Sequence, residues 1–250
     1  MNKVTFGFIV GGDDIYYKNL MRACESLERV KQPHEILIID MDNRLNIDDP
    51  NVKIVNAEAE KVENEDDRNY FQPHIWKKRY ELYKHLETDY CFYMDTDTVV
   101  INDRTDELIE QAEDKFLCTQ HWWVPTLHNF LVSNQKISRV NLGNYIPEDT
   151  SSYVYAASGA FLFQKEKHDG LFEKYNEIFT DIFSDGGLHH GVTDELILLT
   201  VGLVLLPLLS KSKVSKVATS ARLFIALDNG LFKILLSVGD IFPSGENMES

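Results

Sequence analysis

The sequence predicts an α/β protein with a mixed, mostly parallel sheet flanked by helices. Three observations predict it. Short apolar runs without turn residues, Val4–Val10, Glu35–Asp40 and Tyr90–Met94, read as buried strands. Segments of helical period lie between them, and strands that alternate with helices pair in parallel. Two carboxylates, Asp95 and Asp97, then arrive where the run from Tyr90 ends. That is the carboxyl end of a strand, where open α/β sheets place their ligands.

The chain of 250 residues is long enough for one substantial core. Its hydrophobic content of 44% and charged content of 26% are those of an ordinary globular protein. A formal charge of −15 argues against nucleic acid as a partner, because a phosphate backbone would be repelled. It leaves a nucleotide open, since one metal ion and a few basic side chains neutralise a diphosphate locally. The three cysteines, Cys24, Cys91 and Cys118, are odd in number, widely spaced and set among apolar neighbours. They read as buried free thiols in a reducing, cytoplasmic compartment. The amino-terminal apolar run is too short for a signal peptide. The run Leu196–Leu209 is broken by Thr200, Gly202 and Pro207 and falls short of a bilayer span.

Taken in order, Val4–Val10 forms the first strand and ends in the turn Gly11-Gly12-Asp13-Asp14. Asp13 or Asp14 caps a helix whose apolar face is Tyr17, Leu20, Met21, Cys24 and Leu27. Glu35–Asp40 is the second strand and Val52–Val55 a short third. The stretch from Ala57 to Arg68 is dominated by acids and reads as a solvated loop or frayed helix. A helix from Ile75 to Glu87 leads into the Asp95 strand, with Ile75, Leu82 and Leu86 on one stripe. Arg79 shares that stripe, so it either pairs with a buried acid or points at a metal and diphosphate.

In the strand from Tyr90, residues i and i+2 of an extended chain face the same side. Asp95 and Asp97 can then meet one point, and paired hard oxygens suit Mg²⁺ or Mn²⁺. The alternative is a solvated acidic turn. Lys115–Thr119 is a further strand, leading to His121-Trp122-Trp123-Val124-Pro125. Aromatic faces beside a histidine make a sugar-stacking platform, or simply core. Tyr153–Phe163 is a strand with small residues at its centre, which admit a ligand to the backbone or allow a close strand crossing. A helix from Asp169 to Phe183 buries Leu171, Tyr175, Ile178, Phe179 and Ile182. Thr193 can cap a helix opening with Asp194-Glu195, acids that also favour the macrodipole of a first turn.

A Gly-Gly turn, a basic helix face, Asp-x-Asp at a strand end and a late Asp-Glu pair resemble the GT-A class of nucleotide-sugar glycosyltransferases. Within it, Asn144-Tyr145-Ile146-Pro147-Glu148-Asp149 followed by Tyr153-Val154-Tyr155-Ala156-Ala157-Ser158-Gly159 resembles family 6. Those enzymes are the histo-blood-group A and B transferases, the α1,3-galactosyltransferases and their bacterial and phage relatives. Thr119-Gln120-His121 sits where that family has its acceptor loop, and Asp194-Glu195 matches its acidic pair. Lys78-Arg79 resembles the basic pair before its metal strand. The likeness spans roughly residues 4 to 200 and rests on order and spacing. His121 is followed here by Trp-Trp, and Val192-Thr193 stands where the family has Trp-His.

The resemblance implies a catalytic domain over 1–207 and a UDP-sugar donor bridged to Asp95 and Asp97 through Mn²⁺ or Mg²⁺. It implies donor contacts at Gly11, Tyr16, Lys78, Arg79, Thr96, Ala156, Ala157 and Ser158. It places Glu195 as the carboxylate facing the anomeric carbon, with Asp194 on donor-sugar hydroxyls. His121, Trp122 and Trp123 would meet a saccharide acceptor, and the anomeric configuration would be retained. Two other classes stay open, a nucleotidyltransferase acting on sugar phosphates and a non-catalytic carbohydrate-binding protein. Residues 208–250 are basic within an acidic protein and apolar from Leu223 to Leu236. They are expected to pack on the core, rather than cover the site or touch an anionic membrane.

Overall fold

A computed structural model of the chain describes residues 3–57, 75, 77–112, 116–120 and 156–182. Strands β1 (Val4–Val10), β2 (His34–Asp40), β3 (Val52–Asn56), β4 (Tyr90–Met94), β5 (Leu117–Gln120) and β6 (Ala156–Gln164) form one sheet. Its order is β3-β2-β1-β4-β6-β5. The first four of these are parallel neighbours, whereas β6 runs antiparallel to both β4 and β5. The sheet is therefore mixed and mostly parallel, as the sequence predicts.

Helices α1 (Asp14–Ser26) and α2 (Thr105–Ala112) cover one face, and α3 (Lys165–Ile182) covers the other. Every residue of β1 is buried, as in a strand covered on both sides. Its side chains alternate between two cores. Phe6, Phe8 and Val10 pack with Leu20, Ala23, Leu27 and Leu108, whereas Ile9 packs with Leu37, Leu82, Tyr93 and the α3 aromatics. The second core is built of rings, with Tyr80 stacked on Phe161 at 5.6 Å and Phe163 edge-on to Phe172 at 4.6 Å. Among the described residues, no helix is long and apolar enough to cross a membrane.

Three expected elements differ in detail. The helix expected over 75–87 stops near Arg79, turns at Tyr80-Glu81 and resumes as a 3₁₀ segment over Leu82–His85. Arg79, Tyr80, Leu82 and Leu86 are all buried, which is wider than one helical stripe can present. The tighter turn, closed by Tyr80 N–H to the Lys77 carbonyl and Glu81 N–H to that of Lys78, lets all of them point inward. Lysines then occupy the trailing carbonyls, Lys53 that of His85 and Lys165 that of Leu86.

On α1 the contact with the sheet runs along Tyr17, Leu20, Ala23 and Leu27. Ala23 allows that close approach and turns Met21 to solvent, contrary to expectation. Helix α3 starts at Lys165, directly off β6, because the Lys165 amide bonds to the Asp89 carbonyl at the sheet's end. Its buried stripe is Phe172, Tyr175, Ile178 and Phe179, so Phe172 takes the place expected of Leu171. Cys24, Cys91 and Cys118 are free thiols. The acidic stretch 58–68, the domain limit at 207 and the carboxyl-terminal segment lie outside the described residues.

Candidate functional site

Strand β1 has β2 on one side and β4 on the other, so the chain's path reverses direction across the sheet between β1 and β4. The carboxyl ends of those two strands open a crevice there, the usual ligand position in such sheets. Gly11-Gly12 leave β1 into it and Asp95-Thr96-Asp97 leave β4. Because β6 is antiparallel to β4, with Ala160 opposite Met94, its first residues reach the same edge. Ala156, Ala157 and the buried Ser158 are thus brought beside the carboxylates.

The expected geometry of the acid pair changes at Asp95. Its amide still continues the ladder, bonding to the Gly159 carbonyl at 2.8 Å, but the Thr98 amide returns to the Asp95 carbonyl at 3.0 Å. The chain therefore turns over Thr96 and Asp97, and the parity of an extended strand no longer applies. Thr96 is buried, Asp97 stands in solvent, and Asp95 is half-buried against β6.

Arg79 settles the two readings of its stripe. It is buried, and its Nη2 donates to Asp95 Oδ1 at 3.0 Å while its guanidinium lies 4.9 Å over the Tyr93 ring. The half-buried acid it pairs with is the first carboxylate of the Asp-x-Asp stretch itself. Tyr93 Oη donates to the same oxygen at 2.5 Å. Burial pushes the Tyr93 phenol far above its ordinary range, with the Asp95 charge adding to the effect, so the hydroxyl keeps its proton and donates. Lys78 is committed elsewhere, to Glu81 at 2.8 Å. Burial raises the Glu81 carboxyl, but the bond from Lys78 and the nearby lysine charges outweigh it and hold the group below its ordinary value.

At the β1 side, Gly12 takes φ 87°, which the turn requires of a glycine. Its amide bonds Asp42 Oδ2 at 2.7 Å, and Tyr17 Oη bonds Asp40 Oδ1 at 2.8 Å and Asp42 Oδ2 at 3.2 Å. Asp40 is fully buried and also accepts the amides of Asp42, Arg44 and Leu45. Arg44 bonds the Gly12 carbonyl and Asp14 and covers the Tyr17 ring at 4.1 Å. Burial and the bond to Asp40 push the Tyr17 phenol up. Asp13 occupies the N-cap of α1 without a capping side-chain bond to it. Tyr16 is half exposed in the first turn of α1. Asp40-Met41-Asp42 is a second Asp-x-Asp after an apolar strand. The sequence carries that signal, although Asp40 is expected there only as the end of the second strand.

This edge gathers Asp13, Asp14, Asp40, Asp42, Asp95 and Asp97 against the guanidiniums of Arg44 and Arg79, each already paired with a carboxylate. An anionic diphosphate would be repelled there unless a cation entered with it. Hard carboxylate oxygens are a donor set that suits Mg²⁺ or Mn²⁺. Among the described residues no cluster of three or more metal-ligating side chains forms. His121, Trp122, Trp123, Asp194 and Glu195 lie outside the described residues.

No protein-family model matches the chain, and no curated protein does. Among solved structures it is similar to the galactosyltransferase LgtC, determined in complex with donor and acceptor sugar analogs. The TM-score is 0.50 at 16% identity, covering 80% of this chain and 70% of that one. The fold is GT-A. At that identity the likeness speaks for the fold alone, and it is the GT-A fold that puts Gly11-Gly12, Asp95–Asp97 and Ala156–Ser158 on one crevice.

Proposed function

We propose that this protein is a metal-dependent glycosyltransferase that moves a hexose, galactose or N-acetylgalactosamine, from a UDP-sugar to a saccharide acceptor. The observation that carries the proposal is Asp95-Thr96-Asp97 at the crevice between β1 and β4, on an edge too acidic to accept a diphosphate alone. The galactosyltransferase of like fold, solved with donor and acceptor sugar analogs, supports the same class.

Asp95 and Asp97 are the residues that would hold Mn²⁺ or Mg²⁺, with diphosphate oxygens completing the shell. When bound, the cation supplies Lewis-acid stabilisation of the departing diphosphate. Arg79 acts on the donor through Asp95, whose carboxylate it holds. Ala156, Ala157 and Ser158, at the start of β6, are the residues that would meet the donor sugar, and Tyr16 offers an exposed ring in the first turn of α1. The family 6 resemblance adds the remaining roles. Glu195 faces the anomeric carbon, Asp194 takes sugar hydroxyls, His121 orients the acceptor hydroxyl, and Trp122 or Trp123 stacks on its ring. Retention of configuration and an α linkage follow from the same resemblance. A cytoplasmic site of action, with residues 208–250 packed on the catalytic domain, completes the proposal.

A nucleotidyltransferase is disfavoured by the turn after β1. It is Gly11-Gly12-Asp13-Asp14 rather than a basic phosphate loop, and Arg44 beside it is bonded to Asp14. The test is UDP release from a panel of UDP-sugars with Mn²⁺ and then with EDTA. Release from one sugar, abolished by EDTA and by Asp97→Asn, is the expected result. Sugar binding without release, untouched by Asp97→Asn, would instead favour a carbohydrate-binding protein.

A further inference from the structure

We propose that Tyr93 and Gly159 are positioning residues that set the orientation of the Asp95 carboxylate for the cation. The inference rests on the transferase reading above and extends it to two residues outside the acid pair.

Tyr93 sits in a core cluster with Phe161, Phe163 and Phe172, stacked on Phe161 at 4.6 Å. Packing there requires a phenyl ring. A hydroxyl in that place is a burden unless it is bonded, because burying an unsatisfied O–H is unfavourable. The Tyr93 hydroxyl is directed at Asp95 Oδ1, the oxygen that Arg79 also meets at 3.0 Å. Two donors on one oxygen fix the plane of the carboxylate and turn Oδ2 toward β6.

Gly159 makes room for that orientation. A Cβ there would lie 3.1 Å from Asp95 Oδ2 and 3.8 Å from Asp95 Cγ. The first of these is closer than ordinary van der Waals contact. The Asp95 amide is meanwhile bonded to the Gly159 carbonyl, so the backbone cannot move aside without breaking the ladder. The side chain would have to give way instead. The carboxylate is thus held by a hydroxyl and a guanidinium on one side and an open glycine on the other. Partners of a metal ligand act in this manner elsewhere, and their loss weakens metal binding about 10- to 100-fold.

The test uses the full chain and its Tyr93→Phe and Gly159→Ala variants. Mn²⁺ is titrated calorimetrically in the presence of UDP, and unfolding by urea is followed without metal. Tyr93→Phe is expected to weaken Mn²⁺ about 10-fold or more while the unfolding midpoint stays near that of the parent. Gly159→Ala is expected to weaken it similarly, and if that variant fails to fold, Tyr93→Phe decides alone. Parental Mn²⁺ affinity in Tyr93→Phe overturns this inference and leaves the transferase reading standing. A parent chain that binds no Mn²⁺ with UDP overturns both.

Discussion

Arg79 Nη2 meets Asp95 Oδ1 at 3.0 Å, joining the segment that enters β4 to the residue that leaves it. Breaking a buried pair by removing one partner costs about 3–5 kcal/mol. The Asp95 side chain is 35% exposed, so water compensates part of the loss. Arg79→Ala is therefore expected to lower stability by about 2 kcal/mol in urea unfolding. Arg79→Lys recovers only part of it, since an ammonium keeps the charge but lacks the planar fork.

Asp40 is a fully buried acceptor whose partners are all donors: the Tyr17 hydroxyl and the amides of Asp42, Arg44 and Leu45. Asparagine fits the space but turns one acceptor oxygen into an NH₂ that faces another donor. Asp40→Asn should destabilise by about 2 kcal/mol. Amide hydrogen exchange checks the location, with the Arg44 and Leu45 amides losing protection.

Burial, aided by the Lys53 charge, holds His85 below its ordinary 6.5. The unfolded chain then takes up a proton near that value while the folded chain resists it. The His85 contribution is present above pH 6.5 and is lost as pH falls through the folded value. His85→Gln should flatten the acid limb of the stability curve just below pH 6.5, measured as urea midpoints from pH 7.5 downward.

Tyr16 is 49% exposed in the first turn of α1, with no core role to explain its ring. Under the proposed function it stacks against the donor, a contact worth about 0.5–1.5 kcal/mol. Tyr16→Ala is expected to raise the donor KM about 2- to 10-fold and to leave the melting temperature unchanged.

Much of this was legible in the chain. The strands from Val4, Glu35 and Tyr90 were found because strands buried on both faces read as uninterrupted apolar runs. The Asp-x-Asp stretch was found because it terminates such a run. Met21 faces solvent and Leu171 is only partly buried against the core for one reason. A helical stripe in sequence is several residues wide, and the neighbour's shape chooses among them. Arg44 gives no local signal, because its partners, Gly12 and Asp14, lie some thirty residues away.

By itself the sequence determined the α/β class and the candidates Asp95, Asp97 and Arg79, since those follow from local pattern and residue chemistry. Only the tertiary structure decided that Arg79 pairs with Asp95, that the chain turns between the two acids, and that Gly159 leaves the carboxylate its space. The last of these depends on β6 returning antiparallel beside β4. Strand order is set by the summed packing of two cores, and no local stretch of sequence contains that sum.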